Sequence, residues 1–151
     1  MAMTVKQVTL WRKEVQNAPG ILAEVLEPLA ASGANLRVVM GYALGDTGRA
    51  AVEVFPVTGK KLTQAATQAG LQPAQVAALF VEGDDRPGLG AAMARGIANA
   101  AVNIEFVVAQ TVGRKFSAVF GFRSADDARA AAKAIKAAAK PARTAKPRRK
   151  R

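Results

Sequence analysis

Asn17-Ala18-Pro19-Gly20-Ile21-Leu22 and Asp85-Arg86-Pro87-Gly88-Leu89-Gly90 stand 68 positions apart and read alike. At the same offset Asn35-Leu36 falls on Asn103-Ile104. At an offset of 65, Gly48-Arg49 meets Gly113-Arg114 and Val54-Phe55 meets Val119-Phe120. A three-residue deletion in the intervening hairpin accounts for the change of offset. One Pro-Gly coincidence means little, but ordered matches along the chain imply a duplication. The period is too long for a solenoid repeat, so the chain reads as two copies of a small domain.

Working outward from the first motif, Val5, Val8, Leu10, Trp11 and Val15 predict a strand over 5–15. Asn17 suits an N-cap and Pro19 the first turn of a helix. Ile21, Leu22, Val25, Leu26 and Leu29 then recur at helical spacing. Pro28 predicts a kink or an early end, because an interior proline removes a helix hydrogen bond. Gly33 closes that helix. Leu36, Val38, Met40, Tyr42 and Leu44 alternate as in a half-buried strand. Gly45-Asp46-Thr47-Gly48 turns the chain, residues 49–57 return, and Thr58 caps a second helix that stops at Gly70.

Residues 76–82 are apolar and extended. The second copy then repeats the order: a helix from Pro87 to about Ala100, strands over 102–112 and 114–122, and an alanine-rich helix to 139 capped by Ser124. The order β-α-β-β-α, twice, is a split β-α-β arrangement. The expected fold is α+β: two ferredoxin-like units in tandem, with antiparallel sheets and helices on one face. The units divide as 1–75 and 76–139, followed by a basic tail, 140–151. The one strand between the copies, 76–82, closes the first sheet, opens the second, or does both. The second copy lacks a visible last strand.

The chain has 151 residues, with no cysteine and no histidine. That excludes thiolate chemistry, cysteine-ligated metals, disulfides and every histidine-dependent triad. Half the residues are apolar and only 5% aromatic, which predicts a core of small side chains. Of the net charge of +11, seven positive residues lie in the tail, leaving +4 on residues 1–139. No secretory signal or membrane span is visible, and a cytoplasmic protein is expected. Glu82, Asp84 and Asp85 form the one acidic cluster between elements, but without the spacing of a calcium loop. No phosphate-binding glycine motif is present. Glu53 and Glu105 lie in expected strands, exposed or paired with Arg37 or Arg123. No catalytic set, metal site or cofactor site emerges.

The Pro-Gly turns carry the functional signal. The first N–H groups of a helix have no intrahelical partner and form its positive end. Glycine allows a ligand close to the backbone. Together they suit a carboxylate, and Asn17 or Asp85 alongside suits an ammonium group. The same residues also serve plain helix entry, and Asn35 and Asn103 serve plain turns.

These stretches, with Gly33-Ala34-Asn35-Leu36 and Val102-Asn103-Ile104, resemble the D-x-P-G-x-L and G-x-N-I patterns of the ACT domain, a small regulatory module that binds amino acids. The resemblance covers residues 5–139 and departs from the pattern at Asn17 and Ala101. It implies a non-enzymatic sensor, a homodimer, and an amino-acid ligand at an interface between ACT units. Asn17, Gly20, Ile21, Leu22 and Asn35 would line one site; Asp85, Gly88, Leu89 and Asn103 would line the other. The Asn17 departure weakens an ammonium site and implies occupancy that is unequal, or lost in one copy.

The alternative is a nucleic-acid-associated protein. Lys140, Arg143, Lys146, Arg148, Arg149, Lys150 and Arg151 would grip phosphates nonspecifically, with the core as a dimerisation scaffold. The tail has too little apolar surface to order itself. A third reading is an interaction module whose Pro-Gly turns are only caps.

Overall fold

The computed structural model describes residues 3–140. The elements are β1 (Thr4–Val8), β2 (Trp11–Gln16), α1 (Ile21–Ala31), β3 (Val38–Ala43), β4 (Arg49–Phe55), α2 (Lys60–Gln68), β5 (Gln72–Pro73), β6 (Ala77–Asp84), α3 (Leu89–Asn99), β7 (Phe106–Val112), β8 (Lys115–Phe122) and α4 (Ala125–Ala138). They form two four-stranded sheets, ordered β3-β4-β2-β5 and β1-β6-β8-β7. Among the described residues, the first unit is Val8–Ala78 and the second comprises residues 3–7 and 79–140.

The last strand of the second copy is therefore β1, from the start of the chain. Residues 5–15 do not form one strand: the run breaks at Thr9–Leu10 and its halves enter different sheets. A period-2 pattern shows which residues alternate, not which neighbour their backbone pairs with. Pairing with β1 covers an edge of β6 that would otherwise present open backbone groups. Of the expected strand 76–82, residues 77–82 likewise belong to the second sheet as part of β6, not the first. The first sheet is closed by β5, whose two residues pair with Trp11 and Arg12. Pro73 has no N–H and fits such an edge position.

In the first unit, β4 pairs antiparallel with both β2 and β3. Val15, Ala50, Val52 and Val54 from the sheet meet Val25 and Leu29 of α1 and Ala66 of α2 in one buried cluster. The intervening positions of β4 face the other way, and there Ala51 and Glu53 are also buried. Lys13 donates from Nζ to the carbonyl of Ala69 at 2.8 Å, placing a cation on the C-terminal end of α2.

The second unit has the same plan. Leu89, Met93 and Ile97 recur every fourth residue on α3 and are buried, as are Ala128, Ala131 and Ile135 of α4. A Cβ at Gly96 would lie 3.3 Å from the Ala134 carbonyl oxygen, so α3 and α4 pack closely where the sequence has no side chain.

Three local expectations are corrected. Helix α1 runs through Pro28 and ends at Ala31, so the proline neither stops it nor shortens it to that point. The N-cap of α1 is Gly20, not Asn17, and that of α2 is Gly59, not Thr58, with no side-chain capping bond at either. Ser124 does cap α4, accepting from the Asp127 backbone N–H at 3.1 Å.

Candidate ligand cleft

The Pro-Gly motif has a definite backbone form. Gly20 has φ +87° and ψ −10°, and the Ile21 N–H donates to the Ala18 carbonyl at 3.3 Å. With proline third from last and glycine at positive φ, this is a type II turn that launches α1. Gly88, at φ +79°, does the same for α3, with the Leu89 N–H on the Arg86 carbonyl at 3.2 Å. Glycine is required here because an L side chain rarely adopts that conformation. The preceding residue is tied down in both copies: the Asn17 N–H donates to Gly48 at 2.9 Å and the Asp85 N–H to Arg114 at 2.8 Å.

In the first unit this turn borders a cleft of about 260 Å³. Asn17, Ile21 and Leu22 form one side. Gly41, Tyr42 and Ala43 of β3 form the other, with Val15 and residues 50–52 of β2 and β4 beneath. Tyr42 is fixed by its hydroxyl, which donates to Glu53 Oε2 at 2.8 Å. Glu53 is 2% exposed, so it is neither exposed nor left without a partner. Burial, and next the bond to Glu53, hold the Tyr42 hydroxyl above its ordinary pKa. Sequence reasoning missed this pair, because only the strand register brings residues 42 and 53 together.

Three of the five residues expected for this site, Asn17, Ile21 and Leu22, thus share one cleft, and Gly20 lies in the turn that borders it. Asn35 does not join them. It lies beyond the far end of α1, about 16 Å of helix away, in a second cleft of about 410 Å³ beside Gly59, Lys60 and Lys61.

In the second unit, Asp85 and Asn103 are exposed and Gly88 forms the turn, but Leu89 is 2% exposed and belongs to the core. A cleft of about 310 Å³ in this unit is lined by Thr4, Glu82, Gly83, Val112, Lys115, Phe116 and Ser117, and includes none of the four expected residues. Asp84 accepts a hydrogen bond from Lys115, which holds its carboxyl below the usual range. Among the described residues no three carboxylates converge on a metal-sized site, and no helix is long and apolar enough to cross a membrane. Of the tail, only Lys140 is described; Arg143, Lys146, Arg148, Arg149, Lys150 and Arg151 lie outside the described residues.

No family model and no curated protein matches the chain. Solved structures do match it. The chain is similar to protein BT0572 from Bacteroides thetaiotaomicron, with a TM-score of 0.69 at 17% identity, over 85% of this chain and 88% of that one. It is also similar to the regulatory subunit of aspartate kinase from Thermus thermophilus, with a TM-score of 0.61 at 20% identity, over 91% and 97%. The corresponding subunit from Thermus flavus gives 0.57 at 21%, over the same shares. The fold is ACT-like. The last two of these ACT-like neighbours are regulatory subunits, not catalytic ones.

Proposed function

We propose that this chain is a non-enzymatic regulatory protein that binds an amino acid at an ACT-type unit. The observation that carries the reading is the cleft in which Asn17, Ile21 and Leu22 meet beside the Pro19-Gly20 turn. A helix start beside it offers backbone donors and a positive dipole end to a carboxylate. The Asn17 carboxamide can accept from an ammonium group. The ACT-like fold, shared with regulatory subunits of a kinase, supports the same reading.

The ligand lies at an interface between ACT units in this proposal, and the protein acts as a homodimer. In each unit the exposed large apolar residues gather on the outer strand: Val39 and Tyr42 on β3 with Leu22 of α1 beside them, and Val107, Val108 and Val112 on β7. An open strand edge with apolar side chains suits pairing with another such edge. Asn35 enters the site only through a neighbouring unit, since in its own unit it lies past the other end of α1.

The test is a thermal-shift screen of the chain against the twenty amino acids at high salt. A ligand at 100 times its dissociation constant adds about 2.7 kcal/mol, a rise of several degrees for a domain of this size. Asn17→Ala should remove the rise. A flat screen would refute the sensor reading.

A further inference from the structure

Gly41 sits in the interior of β3, opposite Val52. Its backbone is ordinary for a strand, so neither a turn nor a positive φ calls for glycine. Nor does crowding, because a Cβ built there would meet nothing within 4 Å. Glycine weakens a strand, and one explanation remains on a strand facing a cleft: close approach of something to the backbone. The next residues on the same side are the cross-strand pair Ala43 and Ala50. Three small residues in a row thus form the floor of the cleft, with Ile21 and Leu22 as its wall.

The lining has no charged side chain. Its one polar side chain is the Asn17 carboxamide, since Tyr42 alternates to the opposite face of the sheet, where its hydroxyl bonds Glu53. A charged ligand side chain would lose its water here without gaining a partner. An aliphatic one would gain burial. The volume, about 260 Å³, lies below the roughly 300–1,000 Å³ typical of drug-sized ligands, which favours a smaller ligand.

The second unit has no such floor. The strand pairing corrects the sequence match by one residue: Arg37 bonds Phe55 where Glu105 bonds Gly121, so β8 follows β4 at an offset of 66, not 65, and Thr111 faces Phe116 where the first unit has Ala43 facing Ala50. Phe116 is 7% exposed, so a buried ring stands at the register position where the first unit has the small Ala50. Ala109 stands in the place of Gly41.

We propose that the cleft over Gly41 selects an amino acid with an uncharged aliphatic side chain, and that the first unit alone binds it. This rests on the amino-acid-binding reading above and adds the substrate class. The side chain lies over Gly41, Ala43 and Ala50, and the ligand's polar end lies toward Asn17.

The test is calorimetric titration of the whole chain with each of the twenty amino acids. Valine, leucine or isoleucine should bind at one per chain, at least tenfold tighter than lysine or aspartate. Gly41→Leu should weaken that ligand more than tenfold. Gly41→Ala, which the open space lets fold normally, should weaken leucine by a smaller factor while alanine binding is spared. Asn17→Ala should weaken all amino acids alike, whereas the Gly41 variants change their ranking. Tighter binding of lysine or aspartate, two ligands per chain, or unchanged leucine affinity in Gly41→Ala would overturn the proposal and leave amino-acid binding standing. No binding by any of the twenty would overturn both.

Discussion

The two units share their backbone bonds and differ in how side chains pack within each. The strand-to-helix turn is tied in both, by Asn17 to Gly48 and by Asp85 to Arg114. The entry to the following strand is tied in both, by the Arg37 N–H to Phe55 and by the Glu105 N–H to Gly121, each at 2.8 Å. The side chains then diverge. In the first unit a sheet glycine, Gly41, borders open space, and a carboxylate, Glu53, is buried under a tyrosine hydroxyl. In the second unit a sheet glycine, Gly121, lies under the Phe106 ring, and valine stands at 119, the register position matching Glu53. Backbone pairing follows from turns and patterns that a duplicated sequence retains. Packing depends on pairs of side chains that drift together, and there one unit can keep a cleft while the other closes it.

The widest expected gap between the units comes from adding one methyl group to each sheet glycine. A Cβ at Gly121 would lie 2.1 Å from a Phe106 ring carbon. Gly121→Ala should therefore cost about 2 kcal/mol through overpacking, recovered in part by Phe106→Leu. Gly41→Ala should change stability by no more than about 0.5 kcal/mol. Urea unfolding of the three variants measures both, and equal costs would break the comparison.

A second contrast lies at the helix ends. Gly33 has φ +82°, and its counterpart Ala101 holds φ +57°, the one residue other than glycine at positive φ among those described. Gly33→Ala should destabilise by about 1 kcal/mol. Ala101→Gly should gain up to the same amount, reduced by the greater freedom of glycine in the unfolded chain. Thermal unfolding of the two variants should show shifts of opposite sign.

Capping gives a smaller pair. Ser124→Ala removes a side-chain cap and should cost about 1 kcal/mol. Asn17→Ala removes none and should cost less than about 0.5 kcal/mol, while abolishing the amino-acid-dependent thermal shift.

The smallest effects are in pH dependence, and they fall at opposite ends. Tyr42 is raised in the folded state, so its contribution is complete below the ordinary tyrosine range and is lost as pH climbs through the raised value. Tyr42→Phe should flatten the alkaline limb of a stability–pH curve. Asp84 is lowered by the bond from Lys115, so its contribution is present above the ordinary aspartate range and is lost as pH falls through the lowered value. Asp84→Asn should flatten the acid limb.

The sequence by itself determined the duplication, the four helices, the two hairpins and the Pro-Gly helix entries. Each of these rests on local physics: alternation marks strands, threefold and fourfold spacing marks helices, and a type II turn demands glycine at its third position. Asn17 was legible as a candidate for the same reason, beside its Pro-Gly turn, while Ile21 and Leu22 were candidates only through the ACT resemblance. What only the tertiary structure decided depends on partners distant in the chain. The first strand belongs with the last helix's sheet because pairing joins edges, not neighbours in sequence. Asn35 parts from Asn17 because a helix separates them. Glu53 finds Tyr42, and Phe116 stands where the first unit has Ala50, because strand register sets which side chains meet.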